Sequence, residues 1–305
     1  MDSVSDIFQA AGCVGWAHCR LIGGDAEVGI GASEPVAAAS VFKINVALEL
    51  FRQGESGSID VTEQAELLPG RRTRGPTGIS HFHDPVSASL RDLAYLMMTI
   101  SDNAATDEIM RRVTIDRLNA TSDELGLVGT HIECDLRSLL DSAGVDHGFR
   151  NWRELMDAVA GYRGDEDRRR ALDPDLILTR RGITPSTTNR TTPQDMTRLL
   201  DLIWTNQAGP APACEQVRWM MGQQVSQNKL ATGFPSEVVT SAKSGSLFGV
   251  VRNEVGVVQL PNGASYAVAV FTRAHEPFVQ QRAINDAIGT VAAELVASLA
   301  VTPAA

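Results

Sequence analysis

The sequence has no long uninterrupted apolar stretch and no excess of positive charge. No run of about 18 apolar residues occurs, so we predict no transmembrane anchor. The first six residues are acidic and polar, unlike the basic and apolar start of an export signal. The formal net charge of -10 disfavours binding to a nucleic-acid phosphate backbone. We therefore expect a cytoplasmic protein that binds neither nucleic acid nor a membrane.

Cysteine is scarce, and its spacing indicates no metal site. The four cysteines form no C-x-x-C pair and no Cys/His metal spacing: Cys13, Cys19, Cys134 and Cys214. Free thiols are the usual state in a reducing compartment. The segment His81-Phe82-His83-Asp84 has the composition of a metal site, but catalytic zinc usually needs a third ligand. We interpret this segment as a loop at the rim of a site and predict no cofactor.

Strand patterns at both ends of the chain enclose a helical middle. Loose alternation predicts a strand from Cys13 to Leu21 and a second through Val28 to Ile30. Period-two alternation predicts three later strands, and a closing helix follows them: 239–246, 250–260, 265–272, and 279–299. Together these predict an α/β fold of the α+β type, with one antiparallel sheet assembled from both termini. We expect a single domain over 1–305, in which 1–60 plus 200–305 form the sheet lobe and 61–199 form a helical lobe.

Helical spacing is clearest at the start of that middle region. A largely apolar stretch from Ala37 to Phe51 predicts a buried central helix, entered at Ser40. Ser89 and Asp92 form a capping box before the next helix. Further helices are predicted over these ranges: 105–112, 115–125, 152–159, 193–204, and around 219–221. Residues 60–85 indicate loops, and 134–188 are the least legible part of the chain.

Three short motifs follow one another in a fixed order. Ser40-Val41-Phe42-Lys43 opens the central helix, Ser101-Asp102-Asn103 ends a later helix, and Lys243-Ser244-Gly245 lies on a C-terminal strand. A serine and a lysine three positions apart on a helix share one face. An amine placed there can take the hydroxyl proton and make the serine a nucleophile. The sequence therefore predicts a serine acyl-transfer enzyme, although Ser101-Asp102-Asn103 would also suit a helix C-cap followed by an N-cap.

The three motifs in this order resemble those of the class A β-lactamases and the penicillin-binding proteins. The resemblance covers nearly the whole chain except about 134–188. It implies four catalytic side chains: Ser40 as nucleophile, Lys43 as base or proton relay, Ser101 as proton shuttle to the leaving group, and Lys243 as a positive charge near Ser101 and a substrate carboxylate. It also implies that Asn103, Ser244, Ser246 and Arg252 bind substrate.

Two details of that site follow from the resemblance. The backbone N–H groups of Ser40 and Ser246 would form the oxyanion hole. Arg252, nine residues after Lys243, stands where some class A enzymes carry a carboxylate-binding arginine, and an exposed strand arginine is the alternative. The resemblance thus implies a small-molecule substrate that carries a carboxylate.

The sequence departs from the class A pattern in the omega loop. Those enzymes carry a glutamate there, followed four residues later by an asparagine, to activate the deacylating water. Glu154 and Glu166 are followed at that spacing by Ala158 and Arg170. Asn189 also stands where the family commonly has an aspartate. We therefore expect intact acylation machinery and missing or rebuilt deacylation machinery.

The expected function is a β-lactamase-like serine hydrolase that forms a Ser40 acyl-enzyme on a β-lactam or related amide or ester. Three alternatives stay open. A D,D-peptidase is disfavoured because peptidoglycan lies outside a membrane that the chain has no visible means to cross. A cytoplasmic esterase, amidase or acyl transferase on a small metabolite is favoured by the absent glutamate. A non-catalytic sensor would retain its adduct, so the adduct's lifetime separates these functions.

Overall fold

The protein is described by a computed structural model over residues 2–161 and 173–300. Nine strands occur in this part of the chain: β1 (Cys13–Leu21), β2 (Glu27–Ile30), β3 (Val36–Ala37), β4 (Gln64–Leu67), β5 (Val86–Ser89), β6 (Arg190–Thr191), β7 (Val239–Leu247), β8 (Val251–Gln259) and β9 (Ser265–Ala274). Five of them form an antiparallel sheet in the order β2-β1-β9-β8-β7. The predicted sheet from both termini is confirmed, and β7 is one of its edges.

Helices cover both faces of this sheet. The α-helices in the described residues are α1 (Asp2–Ala10), α2 (Lys43–Glu55), α3 (Leu90–Thr99), α4 (Asn103–Val113), α5 (Ile115–Glu124), α6 (Leu136–Asp146), α7 (Trp152–Gly161), α8 (Pro174–Thr179), α9 (Pro193–Trp204), α10 (Ala211–Gly222) and α11 (Gln281–Ala300). At the start of α3, Ser89 accepts a hydrogen bond from the Asp92 amide, as the capping box predicts. The predicted fold class, mixed α and β with an antiparallel sheet, is therefore confirmed.

The predicted starting position of the central helix is wrong, because the helix begins later in the sequence. Ala37 belongs to β3, residues Ala39–Phe42 form a 3-10 turn, and the α-helix begins only at Lys43. Ala39 has a φ of 46°, in the left-handed region that an α-helix cannot use. The apolar pattern extends through the turn because the turn is as buried as the helix, so the pattern alone could not place the boundary.

Several further elements were not predicted. Helix α1 lies in the polar start of the chain, and α6 lies in the region that was least legible. Strands β4 and β5 pair across the segment that was interpreted as loops, with Gln64 opposite Ser89. Each strand of this hairpin has only four residues, which is too short for a clear alternating pattern beside several Gly and Pro.

Two hydrophobic cores lie on opposite faces of the sheet. The larger joins α2–α5, α9 and α10 to the face that carries Val255, Val257 and Phe271. The smaller packs α1 and α11 against the other face. By length and composition alone α11 could cross a membrane, but half of its apolar window is buried inside the protein. Its apolar side is therefore accounted for by packing on the sheet. The division into two sub-lobes stays a prediction, because the larger core runs across the proposed boundary.

Candidate active site

Ser40 lies in the 3-10 turn between β3 and α2 and is partly exposed. Asn253 of β8 holds the preceding residues, since its side-chain amide donates to the carbonyls of Ala37 at 3.0 Å and Ala38 at 3.3 Å. The left-handed Ala39 then turns the chain sharply. These constraints fix the backbone at Ser40 from both the sheet and the turn.

The edge strand β7 lies directly against this turn. A Cβ placed on Gly245 would be 3.0 Å from the Ser40 amide nitrogen and 3.1 Å from the Ala39 Cβ. Only glycine therefore permits this approach without a shift of the backbone. This contact could have been expected from the sequence, because a glycine inside a predicted strand often marks a close backbone contact.

The free edge of β7 presents backbone N–H groups to the space beside Ser40. The Ser244 amide donates to the Gln224 side chain at 2.5 Å and so points away from β8. Amide direction alternates along a strand, so the Ser246 N–H points toward the same free edge. Ser40 and Ser246 also line one cavity. The structure thus brings together the two residues whose amides were predicted to form an oxyanion hole.

Lys43 connects the first motif to the second. Its ammonium group donates to the Ser101 carbonyl at 2.8 Å, the Ser101 hydroxyl at 3.1 Å and the Asn103 side-chain oxygen at 3.0 Å. The side chain is fully buried at the start of α2. These three acceptors use all the donors of an ammonium group. Loss of one proton would let the neutral amine accept a hydrogen bond instead.

Asp102, the middle residue of the second motif, has a structural role. It caps α4 by accepting from the Ala105 amide at 3.0 Å, and it accepts from the Ile79 amide at 2.6 Å. The capping interpretation is therefore correct for this residue. Its two neighbours, Ser101 and Asn103, instead face Lys43.

Burial lowers the pKa of Lys43 to about 7, against the opposing carboxylates of Asp107 and Asp102. Asp107 lies one turn along α4 from Asn103 and is itself buried, which raises its own pKa to about 6. It accepts hydrogen bonds from the Thr73 hydroxyl at 2.5 Å and the Leu136 amide at 2.9 Å. Near neutral pH a large fraction of Lys43 is therefore uncharged, as a general base requires.

Two further lysines are buried near this site, and Lys243 lies close enough to Lys43 and Lys229 for both to repel it. Burial and repulsion from Lys43 and Lys229 lower the pKa of Lys243 well below its usual value, against the attraction of Glu254. Lys243 was expected to approach Ser101, but it donates to the Ser244 carbonyl at 2.9 Å instead. The carboxylate of Glu254 is already bound by Gln224 and the Leu230 amide, so the buried amine of Lys243 bonds a backbone carbonyl oxygen.

Lys229 was missed by the sequence analysis. It donates to the carbonyls of Gly245 at 3.3 Å and Asn253 at 3.0 Å, and to the Ser246 hydroxyl at 3.4 Å. Burial lowers its pKa to about 8, opposed by Glu254. It belongs to no motif. The only hint is composition, because the whole chain has just three lysines and the other two were already assigned to the site.

The predicted substrate-binding residues of β7 and β8 share one face of the sheet. Ser244 pairs with Glu254 across the two strands, and Ser246 pairs with Arg252. Arg252 is not an exposed strand arginine: it is partly buried, and its guanidinium donates to Asn285 at 2.7 Å and Gln281 at 2.5 Å. Both partners are neutral amides of α11, which leaves the charge of Arg252 uncompensated by them.

A cavity of about 810 Å³ opens beside Ser40. Its lining includes both basic and apolar side chains: Arg72, Arg74, Arg153, Arg180, Trp152, Met156, Ile177, Phe248 and Phe278. No Asp or Glu lines it among the described residues. A second cavity, of about 830 Å³, lies around Asp107 and Arg111, and none of the described residues that line it is a predicted site residue. The cavity at Ser40 is thus the one that fits the motifs.

A comparison with protein families agrees with this geometry. The family model described as "Beta-lactamase enzyme family" matches residues 1–299. The chain belongs to this family. A curated relative, the "Beta-lactamase regulatory protein BlaB" of Streptomyces cacaoi, is 28% identical over 282 residues, which cover 88% of this chain and 87% of that protein.

Solved structures show that this β-lactamase-family protein has the family's fold. A β-lactamase from Sphaerobacter thermophilus is 22% identical with a TM-score of 0.75, and the match covers 100% of this chain and 97% of that one. PBP-A is 18% identical with a TM-score of 0.75, and the match covers 99% and 97% of the two chains. The predicted resemblance to β-lactamases and penicillin-binding proteins is therefore confirmed at the level of family and fold.

The segment before α9 differs from the expected pattern in its chemistry. Asn189 is fully buried, and its side chain accepts from the amides of Glu133 at 2.8 Å and Cys134 at 3.0 Å and donates to the Cys134 carbonyl at 3.0 Å. An aspartate could not make the donated bond. The stretch 162–172, which includes Glu166 and Arg170, lies outside the described residues.

One histidine and several arginines line the cavity in this β-lactamase-family protein. His81 lies in a short 3-10 turn and lines the cavity, as the rim interpretation predicts. No group of three metal-binding side chains occurs in the part of the chain that the structure describes. Arg180, which the sequence analysis did not single out, lines the same cavity beside Phe248.

Proposed function

We propose that this protein forms an acyl-enzyme at Ser40 with a β-lactam or a related amide or ester. The observation that carries this proposal is the placement of Lys43, a fully buried amine in contact with Ser101 and Asn103. A lysine with a pKa near 7 has no evident role in stability at this position, because a buried cation is costly. It suits proton transfer from a serine hydroxyl at neutral pH.

The first step forms one bond and moves one proton. Neutral Lys43 takes the proton of the Ser40 hydroxyl while the serine oxygen bonds to the acyl carbonyl carbon. The carbonyl oxygen becomes an anion and is stabilised by the amides of Ser40 and Ser246. The Ser40 amide also lies near the start of the helical segment, where N–H groups favour negative charge.

The second step breaks the bond to the leaving group. The proton held by Lys43 passes through the hydroxyl of Ser101, which lies 3.1 Å from the amine, to the leaving nitrogen or oxygen. Lys43 returns to its neutral form, and Ser40 holds the acyl group as an ester. Water or another nucleophile then resolves this ester.

A non-catalytic sensor is the second candidate, and a specific observation favours it. No carboxylate lines the cavity among the described residues, so an ordinary base for the deacylating water is not in evidence there. The relative from Streptomyces cacaoi is named as a regulatory protein rather than as an enzyme. A long-lived adduct at Ser40 would suit such a function and equally an acyl transferase.

Intact mass spectrometry with a chromogenic β-lactam and an activated ester tests the proposal. We expect the wild-type protein to gain the mass of one acyl group, and we expect no adduct in Ser40→Ala. The adduct's lifetime then separates the candidates, since loss within seconds indicates a hydrolase and persistence for hours indicates a sensor or transferase. If folded wild-type protein gives no adduct with any acyl donor, the proposal is wrong.

The pH dependence of acylation tests the role of Lys43. Only the neutral amine can accept a proton, so we expect the acylation rate constant to rise with pH and to be half-maximal near pH 7. Stopped-flow measurements with an uncharged ester between pH 5.5 and 9 would give the profile. Circular dichroism across the same range controls for unfolding. A rate constant that is flat or falls with pH would contradict a lysine base.

A further inference from the structure

Arg180 is a buried cation that has no anionic partner among the described residues. Its side chain is 2% exposed, and it forms no ion pair with another described residue. Its terminal nitrogen donates to the His147 ring nitrogen Nε2 at 2.7 Å, and its Nε has no hydrogen-bond partner. Burial lowers its pKa to about 10, opposed by Asp146. A buried charge is costly unless it is paired, so this guanidinium lacks the partner that would justify its position.

The surroundings of Arg180 do not supply that partner. Burial and the nearby guanidinium lower the pKa of His147, which keeps the ring neutral and able to accept a hydrogen bond. The guanidinium carbon lies 4.6 Å from the centre of the Phe248 ring, and Phe248 in turn packs against Trp152. Asp146 is bound instead by Arg181, at 2.8 Å. An aromatic face orients the guanidinium without neutralising it.

The open side of Arg180 faces the cavity that contains Ser40. Both residues line it, together with Ile177 and Phe248. A ligand group that enters this cavity can therefore reach the unpaired guanidinium. A carboxylate fits best, because its two oxygens match the planar fork of an arginine.

The contact of Arg180 with Phe248, which follows β7, indicates which part of the substrate it meets. Ser244 and Leu247, the last residue of β7, lie about 10 Å apart along the extended strand, and Phe248 lies in the turn that follows, with a φ of 49°. The Ser40 amide lies beside Gly245, between these two points. Lys243 precedes Ser244 and lies near Lys43, which contacts Ser101, so the leaving group would be protonated at the Ser244 end. The opposite end, at Phe248 and Arg180, is left for the acyl group.

We infer that Arg180 and Phe248 form a binding site for a carboxylate on the acyl group of the substrate, next to an aromatic or apolar spacer. This inference rests on the proposed acylation of Ser40 and names its substrate class: amides, lactams or esters of an acid that carries a second carboxyl group. The site is separate from the Ser244 and Arg252 region, which would bind a carboxylate on the leaving-group side.

Two matched thioesters test this site. The S-phenyl thioesters of 4-carboxyphenylacetic acid and 4-carbamoylphenylacetic acid differ only in charge at the far end of the acyl group. In each reaction Ser40 forms an ester bond, the C–S bond breaks, and the serine proton leaves with thiophenol. Thiol release and the mass of the adduct give the acylation rate constants. We expect wild type to prefer the carboxylate by about tenfold, the ratio that one charge-assisted contact of about 1.4 kcal/mol supplies.

Substitutions assign that preference to one residue. Arg180→Gln should reduce it to nearly one, whereas Arg153→Gln, an exposed arginine of the same cavity, should keep most of it. If Arg180→Gln does not fold, Arg180→Lys decides, because lysine keeps the charge but loses the planar fork, and the preference should fall at least about threefold.

Several results would overturn the inference while leaving acylation intact. Equal rate constants for the two thioesters in wild type would show that no carboxylate site exists on the acyl side. An unchanged preference in the folded Arg180 variant would show that another group binds the carboxylate. The absence of an adduct with both thioesters would instead contradict the proposed acylation itself.

Discussion

Lys43→Met is expected to lower the rate constant for acylation of Ser40 by about 10²–10⁴-fold, the range over which a positioned base accelerates proton transfer. The amine is the group in direct contact with Ser101 and Asn103. Methionine keeps an unbranched apolar chain of similar length in a fully buried position. The variant therefore removes the base and leaves the packing of α2 nearly intact.

The stability of this variant has a pH dependence of known sign. The pKa of Lys43 is lowered in the folded protein, so the unfolded chain binds more protons between about pH 7 and the usual lysine value. The free energy of unfolding of wild type therefore rises with pH across that window. The Lys43→Met variant loses the Lys43 share of this rise and keeps the shares of Lys229 and Lys243, whose pKa values are also lowered. Denaturant titrations at pH 6 and pH 9 should therefore give a smaller rise for the variant than for wild type.

Lys243→Met provides the comparison for the acylation result. Lys243 is as buried as Lys43 but donates to the Ser244 carbonyl rather than to Ser101. We expect its loss to slow acylation no more than the loss of Lys43, and to act mainly on substrates that carry a carboxylate. Single-turnover measurements at pH 8 with an uncharged ester give the acylation rate constants of the Lys43→Met and Lys243→Met variants. Equal acylation by wild type and Lys43→Met would remove Lys43 as the base.

Gly289→Val is expected to lower the free energy of unfolding by about 3 kcal/mol, the upper part of the range for overpacking a core. Gly289 lies inside α11, where helix propensity alone predicts that alanine would gain about 1 kcal/mol. A Cβ there would lie 2.3 Å from the Thr232 hydroxyl and 2.6 Å from the Lys229 carbonyl. The clash therefore reverses the sign expected from the helix.

The same substitution reaches the candidate active site through Lys229. Displacement of its carbonyl would move a side chain that donates to Gly245, Asn253 and Ser246. We expect slower acylation together with the loss of stability. Gly161→Ala is the control, because a Cβ at Gly161 meets no atom of the described residues within 4 Å. If chemical denaturation shows Gly289→Val to be as stable as wild type, the contact between α11 and the Lys229 turn is not as close as described.

Much of the fold could be predicted because long helices and strands repeat their pattern of apolar and polar residues many times. The strand β1 was predicted with its observed bounds, and α9 was located from Pro193 and its capping threonine. The turn at Ser40 could not be placed, because the left-handed conformation of Ala39 comes from contacts with Asn253 and β7, which are distant in sequence. Short elements such as α8 contain too few residues to show a hydrophobic periodicity.

The candidate site was predictable only where its residues belong to motifs. Ser40, Lys43, Ser101 and Asn103 were found by their order and spacing, and the structure brings Lys43 into contact with Ser101 and Asn103. Lys229 and Arg180 belong to no motif and depend on the folding of loops around them. These two residues are recognised as part of the site by their burial and not by their spacing. The burial of a single charged residue cannot be predicted from one sequence.

The three buried lysines have a practical consequence for chemical labelling. The chain has only these three, and all lie around one site, so the remaining basic side chains are arginines and histidines. Amine-directed cross-linkers and acylating dyes therefore find no lysine on the surface and react with the α-amino group. Reductive methylation with ¹³C-formaldehyde would accordingly give few NMR signals, and any lysine signal would report directly on the opening of this one site.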